Sequence, residues 1–195
     1  MTDFTDRYAT LTDPLAAYDT VVEAVGRLVA AVSPDQLDDR TPCSSWSVRE
    51  LANHLVETLN RYGALAARGV TPGEQRVYDD PVTAFPAVAA TTRAAFAAPG
   101  YLDTVAPTPI GPQPGRSVVQ HVVSELTVHG WDLAGATGQA VDIPTDIVEA
   151  VLRAWQALFA DWDRAQMSGN FAPEQPAPAN GTALDRLAAY LGRSV

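Results

Sequence analysis

Lysine is missing altogether. All 13 basic side chains are arginines, set against 23 aspartates and glutamates, for a formal net charge of -10. So acidic a chain has no continuous cationic surface with which to neutralise phosphates, which argues against nucleic acid and anionic membrane as partners. The lysine gap itself, beside abundant Ala, Pro and Val, reads as compositional drift in a GC-rich genome. With Cys43 as the one cysteine, no disulfide can form within the chain, and a reducing cytoplasm is the expected compartment. No apolar run approaches the length that spans a bilayer. The opening MTDFTDRYATLTDP lacks the basic region and apolar core of a signal peptide. Internal repeats are absent, and so is an HExxH segment, which removes the usual protease arrangement of paired ligands with an adjacent general base.

What remains is a globular composition, 47% hydrophobic and 18% charged over 195 residues, enough for one domain spanning 1–195 with a substantial core. Five helical stretches are separated by proline and glycine. The first runs from Pro14 to Val32 behind the cap pair Asp13-Pro14. Ser47-Val48-Arg49-Glu50 has the form of a capping box and opens a second helix that ends at Arg68 before Gly69. A third spans Pro81 to Ala98, with Pro86 in its early turns. The fourth runs from Ser117 to Thr137, and the fifth from Thr145 to Ala165. ALDRLAAYLGR adds a short terminal helix, and the proline-rich stretch from Tyr101 to Arg116 reads as an irregular crossover with a short extended piece. The predicted fold is all-α: an antiparallel four-helix bundle with additional short helices and a long crossover connection.

The fourth helix carries unusual polar residues. At about 100° per residue, His129, His121 and Asp132 fall within about 40° on either side of Glu125, in an arc shared with Val118, Val122 and Val128. An unpaired buried carboxylate costs several kcal/mol, so these groups must compensate one another or share a cation. Glu125 and His129, one turn apart, can ligate one divalent ion. His54 on the second helix, at the border of its apolar face, is the remaining histidine and a candidate third ligand. Two histidines and one carboxylate leave positions open, the pattern of a catalytic zinc site. Each of these residues also has a plainer reading, His54 as a satisfied core-border histidine and Glu125 with His129 as a buried ion pair. His121 is open between a fourth ligand, support for a ligand and a substrate contact. Asp132, one turn beyond His129, can orient its imidazole.

TPCSSWSVRELANHLV at 41–56 and ELTVHGWDLAGATGQ at 125–139 resemble the two signature stretches of the mycothiol-dependent maleylpyruvate isomerase N-terminal-domain family, within the DinB-like superfamily. LDRLAAYLGR at 184–193 resembles the close of its short, single-domain metal-binding members. The resemblance implies a DinB-like bundle holding a divalent ion, usually zinc, through His54, Glu125 and His129, with Ni2+, Mn2+ or Fe2+ as other occupants. It further implies a low-molecular-weight thiol of the mycothiol type, used in S-transfer or isomerisation of an electrophilic substrate. Maleylpyruvate isomerase itself has a further C-terminal domain, and this chain ends about where the bundle ends, so that particular substrate is not expected here. The expected activity is a metal-dependent transferase or isomerase in which the metal favours thiolate and His121 acts as catalytic proton carrier. A non-catalytic metal- or ligand-binding bundle and a metal-assisted hydrolase are the alternatives, and pairing into a homodimer through exposed helix faces is left open. Arg49, Arg61, Arg93 and Arg116 are the candidates for gripping carboxylates. Trp46 reads as a hydrophobic staple, Trp131 as packing on another helix, and Cys43 as a buried inert thiol.

Overall fold

The computed structural model of the chain describes residues 8–43, 46–70, 73–108, 111–161, 164 and 171–195. Its helices begin where local chemistry offers acceptors to the free N–H groups of a first turn. Helix α1 (Pro14–Ala30) starts on Asp13, whose carboxylate accepts from the amides of Leu15 and Ala16 at 3.1 and 3.0 Å. Helix α2 (Val48–Arg68) has the reciprocal Ser47/Glu50 capping box at its start and Gly69 in the left-handed region at its end. Asp80 caps α3 (Pro81–Phe96), which continues through Pro86. Helix α4 (Gly115–Thr137) closes on Gly138, α5 covers Thr145–Asp161, and Thr182 with Asp185 forms a second capping box for α6 (Ala183–Tyr190). Helices α1, α3 and α6 stop two or three residues short of the sequence reading, and α4 starts two residues earlier. The sequence reading carries α5 on to Ala165, but residues 162, 163 and 165 lie outside the described ones.

The crossover is more regular than its prolines suggest. Strands β1 (Val105–Thr108) and β2 (Gly111–Pro114) pair antiparallel, with Val105 opposite Pro114 and Pro107 opposite Pro112. Opposed pairs in such a ladder alternate between bonded and non-bonded positions. All three paired prolines share one class, leaving Ala106, Thr108, Gly111 and Gln113 to supply the N–H donors. This is how a stretch so poor in donors still forms a hairpin.

Helices α1 and α2 each pack against both α3 and α4, completing the four-helix bundle of an all-α, DinB-like fold. Helices α5 and α6 lie against α4 from outside. Helix α4 is therefore central, and between Ser117 and Ala134 only His121, Glu125 and Trp131 are not buried. A helix enclosed on nearly all sides needs apolar residues around its whole circumference, and runs of valine and leucine supply them. Close approach of α2 to α3 depends on Gly63: a Cβ there would lie 2.5 Å from the Thr92 hydroxyl oxygen. That hydroxyl donates to the carbonyl of Leu59 at 2.7 Å, so the two helices are both in contact and hydrogen-bonded at this point. No helix among the described residues is long and apolar enough to cross a membrane.

Candidate metal centre and the cavity beside it

The half-open line on α4 faces α2. His54 Nε2 lies 3.2 Å from Glu125 Oε2, and His129 Nε2 lies 3.7 Å from the same oxygen. One ligand atom from each of these three residues falls within 4.8 Å of the others. The sequence placed this arc toward the interior, and His129 and Asp132 are buried there; His121 and Glu125 are only partly buried, His121 lining a cavity and Glu125 facing His54 of α2.

The arrangement behind His129 decides which of its nitrogens is free. Asp132 Oδ2 accepts from His129 Nδ1 at 2.9 Å, and Arg193 donates to both oxygens of the same carboxylate, from Nε at 3.2 Å and from its terminal nitrogen at 2.9 Å. Asp132 is fully buried. Held by an arginine fork, it is an ionised acceptor, so the hydrogen of a neutral His129 sits on Nδ1. Nε2 then presents a lone pair toward Glu125, and two acceptors face each other unless a cation stands between them. That donor set, with the lone pair of an imidazole and a carboxylate oxygen converging from one helix and His54 closing from another, fits a divalent metal.

Charge follows from the same contacts. Burial alone would raise the Glu125 carboxyl, but the His54 hydrogen bond and the imidazoles of His121 and His129 outweigh it and hold the group well below the usual carboxylate range. Asp132 is depressed too: burial opposes ionisation, and His129 and Arg193 more than reverse it. Burial, reinforced by the Glu125 charge, pushes the Tyr62 phenol up to about 12, so it stays neutral near pH 7.

Aromatic rings close the group. The Trp46 indole stacks on His54 with centroids 4.4 Å apart and also lies 5.4 Å from the His129 ring. Trp46 thus acts on the site as well as at the start of α2. Trp131 donates from its indole N–H to Asp185 at 2.9 Å, tying α4 to α6. His121 is not among the three converging groups. Its ring meets Tyr62 edge-on at 4.8 Å, and both line an adjoining cavity. Cys43 is half-buried, with its sulfur within 4.8 Å of ligand atoms of His129 and Asp132.

Three of the arginines read from sequence as carboxylate grips are engaged elsewhere: Arg93 with Asp19 at 2.6 Å, Arg116 with Asp103 at 2.8 Å and Arg49 with Asp38 at 3.9 Å. Among the described residues Arg193 is the cation that reaches the group, and no sequence signal pointed to it. It is delivered by Gly192, whose φ of 92° turns the chain after α6 back toward α4. A side chain at Gly192 would also collide with the carbonyl oxygen of Ala172, 2.6 Å from the Cβ position.

These features define a class: an all-α bundle with two imidazoles and a carboxylate converging between two core helices. The chain belongs to the mycothiol maleylpyruvate isomerase N-terminal domain family, whose model matches residues 18–134. That span contains His54, Glu125, His129 and Asp132 and stops before α5, α6 and Arg193. The chain is also similar to two proteins of Mycobacterium tuberculosis, the uncharacterized protein Rv0738 of strain H37Rv and the uncharacterized protein MT0763 of strain CDC 1551. Each is 36% identical over 183 residues, covering 94% of this chain and 99% of the relative. No solved structure matches the chain.

Proposed function

We propose that the protein binds one divalent ion, zinc before Ni2+, Mn2+ or Fe2+, through His54, Glu125 and His129, and uses it in thiol chemistry. The single observation that carries this reading is the convergence of those three side chains beside a cavity, with His129 Nδ1 already committed to Asp132. A bound divalent ion would favour the thiolate form of a sulfur ligand at neutral pH. Family membership supports a low-molecular-weight thiol of the mycothiol type as the co-substrate, and S-transfer to, or isomerisation of, an electrophile as the reaction class.

The chain's own residues have separable tasks in this reading. His54 and His129 direct lone pairs to one point, and Glu125 supplies negative charge there. Asp132 fixes the tautomer of His129, and Arg193 keeps Asp132 ionised. Trp46 shields the outer face of both imidazoles from water. His121, on the cavity wall one turn before Glu125, is placed to carry a proton to or from a substrate. We further take residues 1–195 as one domain, since α5 and α6 pack on α4 and the residue after Gly192 completes the group.

Metal analysis by plasma mass spectrometry on untagged protein tests the site. About one divalent ion per chain is expected in the wild type, and loss of that ion in both Glu125→Ala and His129→Ala. Absence of metal from wild-type protein supplied with zinc would refute the site. Once loaded, the protein should consume electrophiles only when a thiol is present, and His54→Ala should abolish this. A metal-loaded protein inert toward every thiol and electrophile pair would favour a binding role without turnover.

A further inference from the structure

The cavity beside the three converging side chains has a volume of about 140 Å³ and is bounded by aromatic rings from three parts of the chain, Tyr8, Tyr62 on α2 and Trp155 on α5. A dry cavity of about 150 Å³ is large enough to hold benzene, so this one has room for a single ring. Among the described residues its lining contains no carboxylate and no arginine, and the chain has no lysine. His121 is its one imidazole. The other polar groups of its lining are amides, aliphatic hydroxyls, the phenols of Tyr8 and Tyr62 and the indole N–H of Trp155.

One of those amides is left unanswered. Gln113 on β2 is 7% exposed and lines the cavity, yet its side chain makes no hydrogen bond among the described residues. Its neighbour Gln120 is different: its carbonyl oxygen accepts from the backbone of Leu11 at 3.0 Å, and its amide lies 3.4 Å from the Ser124 hydroxyl. With no protein group among the described residues paired to it, the Gln113 amide is available to a ligand that both accepts and donates, and the Trp155 indole N–H, buried without a partner among the same residues, is available to an acceptor. The hairpin does not need this side chain, because its ladder is built from backbone groups.

We infer that this cavity is the binding site for an uncharged, ring-sized molecule carrying a carbonyl or amide group, held against Gln113 between Tyr62 and Trp155. An anionic carboxylate is excluded from preference because no guanidinium or ammonium among the lining residues would replace its hydration. His121 and Ser124 place the occupant one helical turn from Glu125 on α4. That the occupant is a substrate rests on the thiol and metal reading above; its chemical class does not.

The test compares benzamide with benzoate, which share size and shape and differ in charge. Binding is followed by ligand-observed NMR relaxation on zinc-supplied wild type and on Glu125→Ala. Benzamide should bind saturably to both proteins and at least tenfold more tightly than benzoate. Gln113→Leu, which removes both polar atoms of the amide, should weaken benzamide at least tenfold. Ala154→Leu, which adds bulk at another lining position, should abolish binding. Equal or tighter binding of benzoate, no saturable benzamide binding, or an undiminished affinity in Gln113→Leu would each overturn the inference. Should wild type hold no zinc while benzamide binds with these preferences, the metal reading falls and the cavity assignment stands. Should zinc be retained with no benzamide binding, the cavity assignment falls and the metal reading stands.

Discussion

Replacing Arg193 by methionine isolates the part of the site that lies farthest from the metal-facing atoms. The Arg193 side chain is 9% exposed and pairs with an Asp132 side chain that is 0% exposed. Methionine keeps the stem's packing and deletes the fork, leaving the Asp132 carboxylate with His129 alone. Breaking a buried pair by removing one partner costs about 3–5 kcal/mol, since the surviving charge stays buried. For a chain near 200 residues, where each kcal/mol moves Tm by about 2–4 °C, the expected fall is roughly 6–20 °C. The lone carboxylate relieves itself by drawing a proton onto His129, and an imidazolium has no lone pair at Nε2. Zinc affinity should therefore drop by about 10–100-fold, the range found when a partner behind a metal-bound histidine is removed. Arg193→Met combined with Asp132→Asn removes both charges and leaves a side-chain oxygen to accept from His129 Nδ1. That double variant should regain most of the stability and much of the affinity, which a double-mutant cycle reads as a coupling energy. Urea denaturation and competitive zinc titration supply the two numbers. If Arg193→Met costs under about 1 kcal/mol and shifts zinc affinity less than threefold, the chain from Arg193 through Asp132 to His129 is not what holds the site.

The helix contacts and the surface carboxylates allow two further tests. Gly63→Ala drives a Cβ to 2.5 Å from the Thr92 hydroxyl and 3.1 Å from its backbone, so we expect about 1–3 kcal/mol of destabilisation by urea denaturation; an unchanged midpoint would mean that α2 and α3 separate freely. Asp185 resists protonation because, although burial works against its charge, Trp131 and the Thr182 backbone and hydroxyl donate to it. Its folded pKa is below the unfolded value, so its contribution is present above the unfolded value of about 3.9 and is lost as pH falls through the folded one. Asp185→Asn should accordingly cost on the order of 1 kcal/mol at pH 7, a difference from wild type that shrinks as pH falls below the unfolded value of about 3.9. A gap that does not narrow at all as pH falls below that value would refute the assignment of charge to that contact.

Much of the fold was legible because it depends on short-range chemistry. Asp13-Pro14, Ser47 with Glu50, and the glycines at 69 and 138 mark helix ends through hydrogen bonds that span only a few residues, and the helices begin and end close to those marks. The hairpin at 105–114 was legible only as an extended piece, since the benefit of placing three prolines in one class of paired positions exists only when both strands are present. Candidate ligands were likewise visible as a pattern on one helix, where a turn of spacing dictates which side chains share a face.

Tertiary structure decided what that face meets. The spacing of Glu125 and His129 is a property of α4 alone, and the sequence by itself determined that they would stand together. Whether His54 would join them depended on the packing of α2 against α4. The tertiary structure also made His121 part of a cavity wall, put the Trp46 ring over His54, and brought Arg193 to Asp132 across 61 residues of chain. The physical reason is range. Capping and helical periodicity act between neighbours along the chain, so they can be read one segment at a time. The ionisation of Asp132, the tautomer of His129 and the unanswered amide of Gln113 are set by groups that become neighbours only when the whole chain has packed.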